Sequence, residues 1–312
     1  LCRFFVLMLV SFVLASPSVS AFLIIPALAD NDKQVDLAKG ITLETSALLC
    51  ADQSDNRIRL INPLGEGDRK STLWSYPAED EERLKYSPTD AKRVELDGVV
   101  YVLASYHSRV QLIRFKDRKL VKDFPSYSSC HSAELLPDGV IVTANSNHGM
   151  LRLHRSADDF SDLKLPYAHG VTWDEKRKCL WAVGDFLYRL NYTDGKLAIA
   201  KKFVLPLSPT GHDLFPLRNE DKLLVSNNAA LFLFDIATKK FETISKLKKI
   251  KSASQHLDGT IWATDPVELK GGASWQSDAV LCVRPDAPKL HHRNKGSKFY
   301  KARWWQRVSF SY

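Results

Sequence analysis

Three histidines stand at matching places in three similar stretches, CHSAELLPDG (130–139), AHGVTWDEKR (168–177) and GHDLFPLRNE (211–220). In each, the His opens a short apolar run that ends in a charged or Gly-containing turn. His131, His169 and His212 are 38 and 43 residues apart, which are repeat lengths and not the local spacing of a metal motif. Imidazole titrates near neutral pH, so a cluster of three could move protons, and its neutral nitrogens could also bind a divalent metal. A His inherited by duplication could equally hydrogen-bond a neighbouring backbone and do no chemistry. The choice among these depends on whether the three side chains reach one place.

The elements that would bring them together are strands. Helical periodicity is almost absent beyond residue 30, and short runs rich in Val, Leu, Ile, Tyr and Trp alternate with polar turns. One pattern recurs six times. A strand ends in small polar residues (ALLCADQ, VVYVLASY, VIVTANS, CLWAVGD, LLVSNN, TIWATDP), and a second apolar strand follows it (RIRLINP, RVQLIRF, MLRLHR, LYRLN, LFLFD, AVLCVR). The turns Asp97-Gly98, Asp138-Gly139 and Asp258-Gly259 set the register with the strand before. Six repeats of roughly 40 residues predict an all-β, six-bladed β-propeller. Blade one has no innermost strand before Ala47, whereas the C-terminal stretch KFYKARWWQ (298–306) is surplus. The ring is therefore expected to close through a terminal segment. Trp173, Trp181 and Trp262 are expected in the core between blades.

In a propeller, the loops entering the innermost strands and leaving the second strands open on one face. His131, His169 and His212 enter three successive blades, and counting back from Asp258-Gly259 puts Lys251 at the same place in blade six. In blade two the place falls near Asp90 to Lys92, with a one-residue ambiguity. The leaving loops supply Asp52, Gln53, His107, Asn145, His148, Asp185, Asn227, Asn228 and Asp265. Trp275, in the inserted loop VELKGGASWQSD (267–278), is a candidate for stacking on a sugar ring. Three readings stay open at this stage. The histidines could hold a divalent metal with a carboxylate or amide, although a channel mouth can be too wide for ligands that must meet at about 2 Å. They could act as acid and base beside Lys251, or they could be structural.

The 312 residues are 45% hydrophobic and 26% charged, as in ordinary globular proteins, and carry a formal net charge of +8. Much of the excess lies in KLKKIK (246–251) and HHRNKGSKFYKAR (291–303), a surface suited to polyanions such as acidic glycans. No nucleic-acid module motif is present, so no nucleic-acid partner is expected. A P-loop, a dinucleotide fingerprint, an EF-hand loop and G-x-S-x-G are also absent from the sequence.

Arg3 precedes the apolar run FFVLMLVSFVLA (4–15), and small residues end at Ala21 and Ala29, the pattern of a signal peptide cleaved after one of them. Residues 30–312 are then expected to form one propeller, secreted or periplasmic, monomeric and without a membrane span. Cys50, Cys179 and Cys282 sit in apolar strand-like runs and no C-x-x-C occurs, so free thiols are expected, with a Cys50–Cys282 bridge as the alternative.

CADQSDNRIRLINP, LWSY, CHSAELLPDG, AHGVTWD, GHDLFP and FYKARWW together resemble a family of secreted bacterial six-bladed propellers of unassigned function, over nearly the whole chain after the leader. That resemblance implies the fold and no activity. There is weaker similarity to arylsulfotransferase-like and oligogalacturonate-lyase-like propellers, whose full catalytic sets are not recognisable here. The expectation for function is an exported propeller with a polar, His-lined funnel that binds an acidic carbohydrate or other small polar ligand and can process it as a lyase or hydrolase. The alternative is a non-catalytic module binding a glycan, peptide or protein.

Overall fold

The computed structural model describes residues 47–63, 71–265, 269, 271–284 and 291–307. The leader and its two cleavage sites lie outside the described residues. Three strands open the first blade: β1 (Leu48–Asp52), β2 (Arg57–Ile61) and β3 (Thr72–Tyr76). Blade two holds β4 (Pro88–Leu96), β5 (Val99–Tyr106), β6 (Arg109–Arg114) and β7 (Leu120–Pro125). Blade three holds β8 (Cys130–Leu135), β9 (Ile141–Asn145), β10 (Met150–His154) and β11 (Phe160–Lys164). Blade four holds β12 (Gly170–Asp174), β13 (Cys179–Val183), β14 (Phe186–Thr193) and β15 (Lys196–Val204). Blade five holds β16 (Gly211–Pro216), β17 (Lys222–Asn227), β18 (Leu231–Asp235) and β19 (Lys240–Ser245). Blade six holds β20 (Ala253–Gln255), β21 (Ile261–Thr264), β22 (Ala279–Arg284) and β23 (His291–Arg293). The last strand, β24 (Phe299–Trp304), pairs antiparallel with β1 and is the innermost strand of blade one. The protein is a six-bladed β-propeller of four-stranded antiparallel sheets, and its C-terminal strand closes the ring.

Packing explains why the second and third strands are so legible. Each blade is covered on both faces by its neighbours, so β1, β9, β13 and β21 are buried along their whole length. The outermost strands alternate instead, as in FSDLK of β11, where every second side chain faces solvent. An apolar cluster fills each blade interface. Trp173 anchors the cluster between blades three and four, Trp181 that between four and five, and Trp262 and Trp304 that between six and one. The four described cysteines are free and buried. Cys50 and Cys282 share the cluster between blades one and six without forming the alternative bridge.

The turn Asp97-Gly98 has φ of 51° and 72°, the two left-handed residues of a tight hairpin. A second irregularity matters more for function. The register slips by one residue near the start of β4, β8 and β16, between Pro88 and Asp90, Cys130 and Ser132, and Gly211 and Asp213. Each bulge re-aims the extra side chain, here Thr89, His131 and His212, toward the mouth of the channel. The same slip occurs in β24 between the partners of Cys50 and Asp52.

A polar cup at one mouth of the channel

One side chain from each blade forms the floor of a cup of about 520 Å³: Tyr300, Thr89, His131, His169, His212 and Lys251, in ring order. The imidazole centroids of His131 and His169 are 4.4 Å apart, and those of His169 and His212 are 5.2 Å apart. The Tyr300 ring lies 5.3 Å from His131, and its hydroxyl is 2.6 Å from His131 Nδ1. Lys251 Nζ stands 3.3 Å from His212 Nδ1. No Asp or Glu lines the cup among the described residues.

The hydrogen bonds assign the protons of His169 and His212. His169 Nδ1 is 2.8 Å from the Tyr167 carbonyl, which can only accept, so Nδ1 carries the proton and Nε2 keeps its lone pair. The Tyr167 ring packs on this imidazole at 4.1 Å, from a backbone held at φ 58°. His212 Nε2 donates to Asn228 Oδ1 at 2.5 Å, leaving Nδ1 to accept from the Lys251 ammonium. The Tyr300 hydroxyl and His131 Nδ1 share a hydrogen bond whose donor follows the His131 tautomer.

Burial keeps all three rings neutral. It lowers His131 from 6.5 to about 3, helped by the cations Lys301 and Lys251. It lowers His212 to about 4, with Lys251 as the next cause, and His169 well below its ordinary value, with His131 next. Burial also brings Lys251 from 10.5 down to about 8, and the like charges of Lys301 and Lys249 add to the fall. The Tyr300 phenol is pushed up by its burial and stays protonated.

Beneath the floor, ion pairs seal the channel. Lys301 Nζ reaches Asp213 at 3.1 Å and Asp90 at 3.6 Å. Arg303 donates to both carboxylates, at 2.6 Å to Asp213 and 3.2 Å to Asp90. Ser132 Oγ donates to Asp90 at 2.8 Å, and Lys92 pairs with Glu134 at 3.2 Å. Burial acts to raise both aspartates, but Arg303 and Lys301 outweigh it and hold them below the usual carboxylate range. Three buried cations thus meet three buried anions. The cup is closed at its base.

At the rim, Gln53 accepts from Gln276 Nε2 at 2.8 Å and lies 3.4 Å from Trp275 Nε1, while its own amide donates to the Pro88 carbonyl at 2.9 Å. These bonds tie the inserted loop of blade six to blades one and two. Of that stretch, residues 267, 268 and 270 lie outside the described residues. Trp275 is 47% exposed and lines the cup, as does the exposed His107.

A family model described as a family of unknown function, DUF6528, matches residues 12–312. The chain belongs to this family. No curated protein matches the DUF6528 chain. Among solved structures, a nidogen/laminin complex aligns with this DUF6528 member at a TM-score of 0.57 and 12% identity, over 83% of this chain and 97% of that one. A hydrazine synthase of Kuenenia stuttgartiensis aligns at 0.48 and 11% identity, over 65% of each chain. A virginiamycin B lyase from Staphylococcus aureus, solved with quinupristin, aligns at 0.47 and 16% identity, over 69% of this chain and 75% of that one. At 12% identity the likeness to the nidogen/laminin complex concerns the fold alone.

The geometry of the cup bears on several expectations. Among the described residues, no group of three or more His, Cys, Asp or Glu side chains is placed to hold a metal ion. One nitrogen of His169 and both of His212 are already hydrogen-bonded, and the Lys251 ammonium sits where it would repel a cation. In blade two the equivalent of His131 is Thr89, at the edge of the one-residue ambiguity around Asp90 to Lys92, and the bulge resolves that ambiguity.

Six leaving-loop candidates of this DUF6528 propeller are spent elsewhere. Asp52 pairs with Arg59 at 2.9 Å and accepts from two backbone amides. Asn145 bonds Ser126 and Thr143, and Asn227 bonds the Pro206 and Ser208 carbonyls and two loop amides. His148 stacks on Tyr127 at 4.5 Å, and Asp185 accepts from Tyr188. Asp265 lies outside the cup lining, buried at the end of β21. Tyr300, Tyr167, Thr89, Ser129, Ser146 and Asn147 line the cup without having been singled out. Setting FYKARW against GHDLFP as an innermost strand would have found Tyr300 opposite His212.

Proposed function

We propose that this is an exported carbohydrate-binding propeller whose cup takes a small carboxylate-bearing sugar and is equipped for elimination. The observation that carries the reading is the floor itself: a Lys251 ammonium with no carboxylate partner, beside neutral histidines, in a cup whose described lining contains no acid. A ligand carboxylate would restore the missing counter-charge on Lys251 and raise its pKa again. Trp275 offers an exposed ring on which a sugar face can stack. The signal-peptide pattern of residues 3–29 supports export.

Elimination suits these residues better than hydrolysis. Glycoside hydrolysis typically uses two carboxyl groups flanking the bond, and the described cup lining offers none. Elimination from a uronate needs a base, an acid and a cation. His169 Nε2 has a free lone pair and is held in position by the Tyr167 carbonyl, so it can take the proton α to the carboxylate. Lys251 would stabilise the negative charge that develops on the carboxylate. The Tyr300 hydroxyl, bonded to His131, can protonate the departing oxygen as the C–O bond breaks and a C=C bond forms.

The test is a panel of oligomers of galacturonate, glucuronate and mannuronate, followed by ultraviolet absorbance of the unsaturated product. A rise with at least one member, lost in His169→Ala, supports the elimination. Binding without any product across the panel reduces the reading to the non-catalytic module.

A further inference from the structure

Lys251 has surroundings that a cation pairing only with carboxylates does not need. Its Nζ is half-buried at the floor of an open cup, and among the described residues no carboxylate pairs with it. The groups that face it are the neutral His212 of β16, the cation Lys301 of β24 and Lys249 on its own segment, with His131 of β8 close enough to feel its charge. His212 is the immediate contact, with both ring nitrogens within 3.4 Å. Nδ1 is the acceptor, because Nε2 already donates to Asn228. A lysine desolvated beside other cations and next to a base is the arrangement by which proteins make an amine reactive.

We propose that Lys251 is an amine nucleophile that condenses with the carbonyl of a small, hydroxyl-rich aldehyde or ketone to form an imine. The hydroxyls of Ser87, Ser129 and Ser146 and the amide of Asn147 line the wall above it and suit such a ligand. The amine nitrogen attacks the carbonyl carbon, and the carbonyl pair moves onto oxygen. A nitrogen proton passes through His212 to that oxygen to give a carbinolamine. The second nitrogen proton follows by the same imidazole, and the C–O bond breaks to release water as the C=N bond forms. Nothing is oxidised or reduced. The ammonium that would pair with a carboxylate and the amine that would add to a carbonyl are two protonation states of one group. The inference therefore does not rest on the uronate reading.

At neutral pH a lysine titrating near 8 carries on the order of a hundredfold more free amine than one of ordinary pKa. The protein supplies its own comparators, Lys248 and Lys249, which are exposed in the same segment. The experiment treats the intact protein with limiting glyceraldehyde and cyanoborohydride at pH 7 and follows each lysine by peptide mass spectrometry. Lys251 is expected to be modified at least tenfold faster than Lys248 and Lys249, with a rate that rises through a midpoint near pH 8 and a fast phase missing from Lys251→Arg. Modification of Lys251 at or below the rate of its neighbours overturns the proposal, as does a rate still climbing steeply above pH 9. Failure here leaves uronate binding untouched, since the ammonium still serves it. Failure of uronate binding likewise leaves the labelling result standing.

Discussion

Lys251 Nζ lies 3.3 Å from His212 Nδ1, and no carboxylate among the described residues pairs with the ammonium. The contact is costly to the fold. With the folded pKa lowered from 10.5 to about 8, the unfolded chain binds the proton more tightly between those values, so stability drops as pH falls through that window and stays reduced below it. Lys251→Met should therefore be more stable than the parent at pH 7, by about 1–3 kcal/mol, with the gap closing above pH 10. Urea unfolding at both pH values checks this. A variant less stable than the parent at pH 7 would mean that the ammonium supports the fold.

The histidines predict a loss of stability in acid. His131, His169 and His212 all have folded values below 6.5, so the unfolded state takes up protons first and stability declines as pH falls from about 6.5 toward 3. The buried His154, lowered to about 4, adds to the slope. His212 alone is worth up to about 3 kcal/mol across the window. His212→Gln should flatten the dependence of unfolding free energy on pH between 6.5 and 4, and an unchanged slope would refute the assignment.

The sealed channel predicts a sharp contrast between ion pairs. Asp213 accepts from Arg303, Lys301 and the Ala253 amide in the interior, whereas Asp159 meets Arg155 in solvent. Removing one partner of a buried network leaves uncompensated charge, so Asp213→Asn should cost about 3–5 kcal/mol. Asp159→Asn should cost less than about 1 kcal/mol. Comparable losses in chemical denaturation would contradict the structure.

Gly184 is a test of how the cup is held. A Cβ there would meet the Pro166 carbonyl oxygen at 2.3 Å, and Pro166 leads directly into Tyr167 and His169. Gly184→Ala should destabilise blade four by about 1–3 kcal/mol and displace the Tyr167 carbonyl from His169 Nδ1. Imidazole nitrogen shifts in NMR spectra would report the loss of that bond, and an unmoved His169 would count against it.

The fold was more legible than the site, and the reasons are physical. Second and third strands of a propeller are buried on both faces, so LLCAD and CLWAV appear as apolar runs bounded by turns. The closing strand FYKARW was harder to place because Lys301 and Arg303 look like surface residues. Their burial makes sense only with Asp90 and Asp213, which come from two other blades. Repeat register located His131, His169, His212 and Lys251 at one mouth, but no periodicity reveals a bulge, so the count in blade two stayed ambiguous by one residue until the slip before Asp90 singled out Thr89. The leaving loops misled for a different reason. The polar residues that end strands β1, β9 and β17, namely Asp52, Asn145 and Asn227, bond their own blades and, for the two asparagines, the segments that lead into those blades, and in blade three the cup is lined by the residues that follow, Ser146 and Asn147.

The measurement that tests the central claim most directly is calorimetric titration of the protein with a trigalacturonate and, in parallel, with its methyl ester. The account predicts binding of the acid that weakens as salt rises and is lost in Lys251→Met, with the ester at least tenfold weaker because it brings no charge to Lys251. Equal affinity for acid and ester, or acid binding that survives Lys251→Met unchanged, would contradict it.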